Sequence, residues 1–111
     1  MKNELLTIGE QLHELYIEQA DATISLGVYT RATEARKVVL LPEGGWPGKN
    51  QSERDAARDR AYAEDDILIK LQTRLQAVED GLVRLQAKIN AEGALRRSYE
   101  WIIRLMETTN E

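Results

Sequence analysis

The chain has 111 residues, no cysteine and a formal net charge of −4. Its length provides room for one domain, and the lack of cysteine excludes disulfides, thiolate zinc sites and cysteine nucleophiles. No segment approaches the roughly 18–20 apolar residues of a membrane span, and residues 1–12 lack the apolar run of a signal peptide. We therefore expect a cytoplasmic protein without a membrane segment.

Residues 3–41 are predicted to form a long first helix. Its first half carries apolar residues at alternating steps of three and four, the spacing of a helix that packs along one stripe: Leu5, Ile8, Leu12 and Leu15. Farther along, the stripe drifts through small residues near Gly27. Pro42 ends the helix, because a proline disfavours the helical conformation of the residue before it.

The turn at 42–51 is the clearest loop in the chain, with three glycines and two prolines. A short, charged, alanine-rich helix is predicted to follow over 52–64. Two residue pairs have the spacing of a capping box at its start, Asn50 with Glu53 and Ser52 with Asp55.

Residues 65–107 are predicted to form a second long helix. Its first half carries a heptad seam of seven apolar residues: Leu68, Leu71, Leu75, Val78, Leu82, Leu85 and Ile89. The acids Glu64, Asp65 and Asp66 suit the first turn of a helix. They leave open whether the short helix runs into the long one or breaks there.

Beyond Ile89 the seam has two possible continuations. The unchanged register places Glu92 and Arg96 on it, as a polar pair that would fix the helix register. A small displacement at residues 91–94 would instead shift the stripe to Leu95, Tyr99 and Ile102, and we favour this shift.

Two long helices joined by a turn predict a coiled-coil-like, all-α antiparallel helical hairpin as a single domain over residues 1–111. The long helix also carries apolar residues off the seam: Ile67, Ile69, Val83, Ile102 and Leu105. These side chains require another partner. We therefore expect a homodimer that forms a four-helix bundle.

Glu10 and His13 have the Glu-x-x-His spacing of carboxylate-bridged two-metal sites in helix bundles. Both residues lie off the apolar stripe of the first helix, where a solvated surface is expected. The single histidine also lacks a credible nucleophile partner in the sequence. We therefore predict no metal, no other cofactor, no catalytic residue and no enzymatic activity.

The loop and the short helix contain the candidate partner-binding residues, Trp46, Lys49, Arg54 and Arg58. An aromatic side chain among cations can anchor a protein partner or stack on a nucleic-acid base. Alternatively, Trp46 folds back and covers the end of the hairpin core. Loops carry recognition more often than the scaffold that holds them, so we place partner binding here.

The segment Gly48-Lys49-Asn50-Gln51-Ser52-Glu53-Arg54 resembles the turn of small helical phage and prophage proteins of unknown function. In these proteins a Gly-Lys-Asn turn precedes a long coiled-coil-like helix. The resemblance implies an accessory role in phage DNA metabolism or the inhibition of a host system.

We therefore expect a small, non-enzymatic interaction protein that binds a protein partner. The first alternative is an accessory protein that binds nucleic acid through the basic turn region, since residues 31–60 have an excess of cations. The second alternative is a two-helix, ferritin-like metal oxidase based on Glu10 and His13.

Overall fold

The structure is a computed structural model that describes residues 2–110. This part of the chain forms three helices and no strand: α1 (Lys2–Leu40), α2 (Gln51–Glu64) and α3 (Asp66–Asn110). The prediction of an all-α protein is therefore confirmed. Within the described residues, none of the helices is long and apolar enough to cross a membrane.

The chain divides into two compact units. The terminal unit comprises Met1–Thr23 and Asp80–Glu111, and the central unit comprises Ile24–Glu79. Both α1 and α3 contribute to each unit, whereas α2 lies entirely in the central unit. The loop and α2, which hold the candidate partner-binding residues, therefore belong to the central unit.

In the terminal unit, α1 and α3 pack against each other in opposite directions. Ile8 lines the same groove as Leu95, whereas Gln19, eleven residues farther along α1, donates a hydrogen bond of 2.8 Å to Gln86. The core between the helices consists of three buried side chains and two partly buried neighbours: Ile8, Leu12, Ile89, Leu15 and Tyr99. The apolar stripe predicted for the start of α1 thus meets the seam of α3.

Burial along α3 follows the predicted seam. Leu68 and Ile89 are buried, and the five seam residues between them are partly buried: Leu71, Leu75, Val78, Leu82 and Leu85. Residues at the neighbouring helical positions are mostly exposed. The heptad pattern therefore identified the packed side of α3 from Leu68 to Ile89 correctly.

The predicted shift of the seam after Ile89 is wrong at two of its three residues. Leu95 and Ile102 are 44% and 37% exposed, whereas Tyr99, the third residue, packs against the core. Glu92 and Ile103 are also partly buried. Because α3 continues through residues 91–94 without interruption, the seven-residue register is preserved and places Glu92 on the seam.

The alternative polar pair on the seam does not form either. Arg96 is exposed and donates a hydrogen bond of 3.1 Å to Glu100, one turn farther along α3. One carboxylate oxygen of Glu92, Oε2, is buried without a hydrogen-bond partner. The seam therefore contains a single polar side chain at this point rather than an ion pair.

The seam of α1 extends farther than the sequence analysis proposed. Its seven-residue register continues through side chains that are all at least partly buried: Gln19, Ala22, Leu26, Tyr29, Thr33, Arg36 and Leu40. Thr33 is the most buried of these, at 3% exposure. The stripe that drifts in the sequence is therefore continuous in the structure, but polar residues occupy several of its positions.

Candidate interaction site

The loop between α1 and α2 begins with a tight turn. The Leu41 N–H donates to the Val38 carbonyl at 3.2 Å as α1 ends, and the Gly45 N–H donates to the Pro42 carbonyl at 3.0 Å. Gly44, the third residue of this turn, has φ +86°. A type II turn requires a positive φ at this position, and glycine adopts it without a steric cost.

Gly48 lets the loop pack directly on the start of α2. Its φ is +149°, and an added Cβ atom would lie 2.7 Å from the Arg54 nitrogen and 2.8 Å from Glu53 Cβ. Any side chain at this position would therefore clash with the first turn of the helix. The approach fixes the path of the chain just before Lys49 and Asn50.

The N-terminus of α2 is capped by Asn50. The side-chain oxygen of Asn50 accepts the Glu53 N–H at 2.9 Å, and the Glu53 carboxylate accepts the Lys49 N–H at 2.7 Å. Of the two pairs considered from the sequence, Asn50 and Glu53 therefore form the cap. The first bond satisfies a donor that a helix N-terminus leaves free, and the second fixes the residue before the cap.

A break at Asp65 separates α2 from α3. Asp65 has an extended backbone (φ −88°, ψ 108°), and its carboxylate accepts the Leu68 N–H at 2.8 Å, as an N-cap residue does. The same carboxylate accepts two hydrogen bonds from Arg36 of α1, at 2.9 and 2.7 Å. Chiefly through these bonds, Arg36 lowers the pKa of Asp65 from 3.8 to about 2.

Trp46 folds back onto α2. Its ring meets the ring of Tyr62 edge to face, with centroids 5.7 Å apart and planes at 88°. The Lys37 ammonium lies 5.7 Å from the centre of the same Tyr62 ring, within the range of a cation–π contact. Trp46 is half-buried, and the side chain that it meets is Tyr62 of α2.

The three predicted cations lie along the first two turns of α2 and the residue before its cap. Lys49 is exposed, whereas Arg54 and Arg58 are partly exposed and lie one turn apart on the same side of the helix. Arg54 donates to Gln51 at 3.5 Å, and Arg58 pairs with Asp55 and Asp59 at 3.6 and 3.2 Å. The structure thus places these cations on one short helix, beside the loop that contains Trp46.

α2 itself contains no buried residue. Four features fix its position: the Asn50 cap, the close packing of Gly48 on its first turn, the ring contact between Trp46 and Tyr62, and the junction with α3 at Asp65. Of its fourteen residues, eight are exposed and six are partly buried.

Two contacts that hold this site were not predicted from the sequence. Arg36 and Asp65 were not recognised as partners, because 29 residues separate them and neither belongs to a recognisable motif. The contacts of Tyr62 with Trp46 and Lys37 were not predicted either. The only available signal was the capping potential of the acids at 64–66.

Glu10 and His13 are exposed on α1 and line an open groove of the terminal unit together with Arg96 and Glu100. Arg96 already pairs with Glu100 in this groove. Among residues 2–110, no group of three or more histidine, aspartate or glutamate side chains is arranged to hold a metal ion.

Comparison of the chain with models of protein families, with curated proteins and with solved structures found no match.

Proposed function

We propose that this chain is a non-enzymatic interaction protein that binds a protein partner through the loop and α2. The observation that carries the proposal is that α2 is anchored at both ends yet has no buried residue. A fold retains such a helix at the cost of ordering fourteen residues. Partner binding through Lys49 and the partly exposed Arg54 and Arg58 gives a reason for that cost.

The charge of α2 favours a protein over a nucleic acid. Its fourteen residues contain three arginines and four acids, and Arg58 is paired with two of those acids. Nucleic-acid affinity depends on unpaired cations that replace phosphate counterions. A mixed surface of arginine, carboxylate and aromatic groups is better suited to a protein interface.

The resemblance of the Gly48–Arg54 segment to small phage proteins leads us to propose what kind of protein the partner is. We propose a protein of phage DNA metabolism or a host protein that the phage inhibits. Both belong to the same class of ligand for α2, a folded protein surface with complementary charges.

The assembly that we propose is a homodimer that forms a four-helix bundle. Among the described residues, sixteen large apolar side chains are exposed and four are buried. The chain exposes 8321 Å², which leaves room for an interface of the size that obligate dimers bury, roughly 2,000–5,000 Å² in total.

The test of partner binding is a triple variant, Lys49→Ala, Arg54→Ala and Arg58→Ala. Partners are captured from the source cell with the wild-type chain, and their affinities are then compared in purified form. We expect affinity to fall at least about tenfold, because charge-assisted contacts are lost. Helicity and oligomer mass should stay unchanged, since none of the three side chains lies on a seam.

The matched control removes three exposed cations elsewhere in the central unit, by Arg31→Ala, Lys70→Ala and Arg74→Ala. It changes the net charge equally but leaves α2 intact. Equal losses of partner affinity in both triple variants, or no loss of affinity in either, would contradict binding through α2. Gel shifts with DNA and RNA at two salt concentrations test the nucleic-acid alternative, because phosphate contacts weaken steeply with salt.

A further inference from the structure

One side of the terminal unit separates its charges by helix. α1 contributes Glu14, Glu18 and Asp21, and α3 contributes Arg84 and Lys88. Glu14, Glu18 and Lys88 line one shallow groove of about 280 Å³, and Asp21 and Arg84 lie one turn from Glu18 and Lys88. We refer to these five residues as the charge-split face, acidic along α1 and basic along α3.

The charges of this face are exposed and are not paired within the described part of the chain. All five side chains are solvent-exposed, and none makes a hydrogen bond or an ion pair with another described residue. By contrast, the exposed pair Arg96 and Glu100 of the same unit forms an ion pair within α3, at 3.1 Å. The charge-split face therefore holds two unpaired cations beside three unpaired carboxylates.

Apolar side chains continue the same side of α3 beyond Lys88. Leu95 lies two turns beyond it, and Ile102 four turns, with 44% and 37% of their surfaces exposed. Leu95 lines the next groove along this side, with Asn3 and Thr7 of α1. Ile102 lines the groove after that, with Leu105 and Met106. Exposed apolar side chains therefore continue the side of α3 on which the charge-split face lies.

We propose that the charge-split face binds a second copy of this chain, with α1 of each copy against α3 of the other. In a two-fold dimer the same patch meets itself. Packing α1 against α1 would oppose carboxylates to carboxylates. A two-fold axis parallel to the helices instead brings Glu18 of one copy towards Arg84 and Lys88 of the other.

This inference rests on the proposed homodimer and specifies its face and orientation. The exposed surface of 8321 Å² leaves enough area for such an interface. Leu95 and Ile102 of both copies would lie beside the common axis, next to the seams. Leu95, Ile102 and the neighbouring Leu105 of α3 would then be covered in the assembled bundle.

The experiment uses two full-length variants with opposite charge reversals. The first carries Arg84→Glu and Lys88→Glu, so that its face is wholly acidic. The second carries Glu14→Lys, Glu18→Lys and Asp21→Lys, so that its face is wholly basic. Each variant alone should form dimers at least about 100-fold more weakly than wild type, because like charges now meet. An equimolar mixture should form a heterodimer, since both contacts of the pair are then attractive.

The control variant carries Arg97→Glu and Arg104→Glu, which change the charge of α3 equally on its opposite side, about 200° around the helix. Circular dichroism checks folding, and analytical ultracentrifugation gives the mass. A variant that is not helical when measured by itself is assessed in the mixture. Recovery of helicity and of dimer mass there supports the proposal.

The outcomes separate the face from the dimer itself. If wild type is monomeric at micromolar concentrations, the homodimer is wrong and the face falls with it. If wild type is dimeric and the reversals leave its mass unchanged, or act no more than the control does, only the proposed face is overturned. Failure of the mixture to form a heterodimer would also overturn it.

Discussion

Arg36 and Asp65 form a two-point ion pair that joins α1 to the junction between α2 and α3. The guanidinium donates to both carboxylate oxygens, at 2.9 and 2.7 Å, while the same carboxylate caps α3 through the Leu68 N–H. The Asp65 side chain therefore connects the end of α2, the start of α3 and Arg36 on α1. Because planar arginine suits such paired bonds, lysine would not replace it equally.

The first prediction concerns the pH dependence of stability. Asp65 has a pKa of about 2 in the folded chain and 3.8 ordinarily, so it stabilises the fold fully above pH about 4. That contribution is lost as the pH falls from about 4 to about 2, because the unfolded chain then binds the proton more readily. Asp65→Asn keeps a capping side chain but not the charge. Its melting temperature should therefore fall less steeply over this range than that of wild type.

The control for this measurement is Asp66→Asn. It removes the same charge from the adjacent, exposed residue, which makes no bond to Arg36. The melting temperature of Asp66→Asn should fall between pH about 4 and pH about 2 as steeply as that of wild type. If its fall is reduced as much as in Asp65→Asn, the effect is one of net charge and not of the ion pair.

The sequence predicted the long apolar runs and missed the polar seam positions. Leucine and isoleucine at three-four spacing identified the packed sides of α3 from Leu68 and of α1 up to Leu15. From Gln19 onward, α1 places Thr33 and Arg36 at seam positions, and a hydrophobic pattern cannot register such residues. The same limitation produced the wrong shift at Glu92, where apolar Leu95 was preferred over a glutamate.

Local capping chemistry was predictable and long-range contacts were not. Asn50 and Glu53 lie three residues apart, and their bonds follow from the needs of any helix N-terminus. The pairing of Arg36 with Asp65, and of Trp46 with Tyr62, depends on how separate segments pack together. Nothing in the residues themselves selects these partners over other cations and aromatics in the chain.

The second prediction concerns the glycines of the loop. Gly44→Ala should lower the free energy of unfolding by roughly 1–2 kcal/mol, because its φ of +86° is unfavourable for alanine but the space around it is open. Gly48→Ala should lower the free energy of unfolding more, since the new Cβ would also lie 2.7 Å from the backbone nitrogen of Arg54. Urea unfolding of both variants tests the order. Equal losses would show that the loop moves away from α2 without difficulty.

The third prediction is that Thr33→Val stabilises the protein. Thr33 is 3% exposed and its hydroxyl has no partner, whereas Thr23 and Thr73 bond the carbonyl four residues before them. Valine keeps the shape and removes the unsatisfied group, which should add about 1–2 kcal/mol. The exposed control Thr30→Val should change stability by no more than about 0.5 kcal/mol. A loss of stability in Thr33→Val would mean that the hydroxyl is satisfied in solution.

The fourth prediction concerns the polar seam position at Glu92. Its Oε2 atom is buried without a hydrogen-bond partner, between Ile89 and Tyr99 on the packed side of α3. Glu92→Leu should therefore raise the free energy of unfolding by roughly 1–3 kcal/mol. A polar group at one seam position also restricts register and oligomer size, so the variant should sediment as a mixture of species. Glu79→Leu, at an exposed position of the same helix, should do neither. If Glu92→Leu is destabilised instead, the carboxylate is paired in the assembled protein, and a partner chain provides the missing donor.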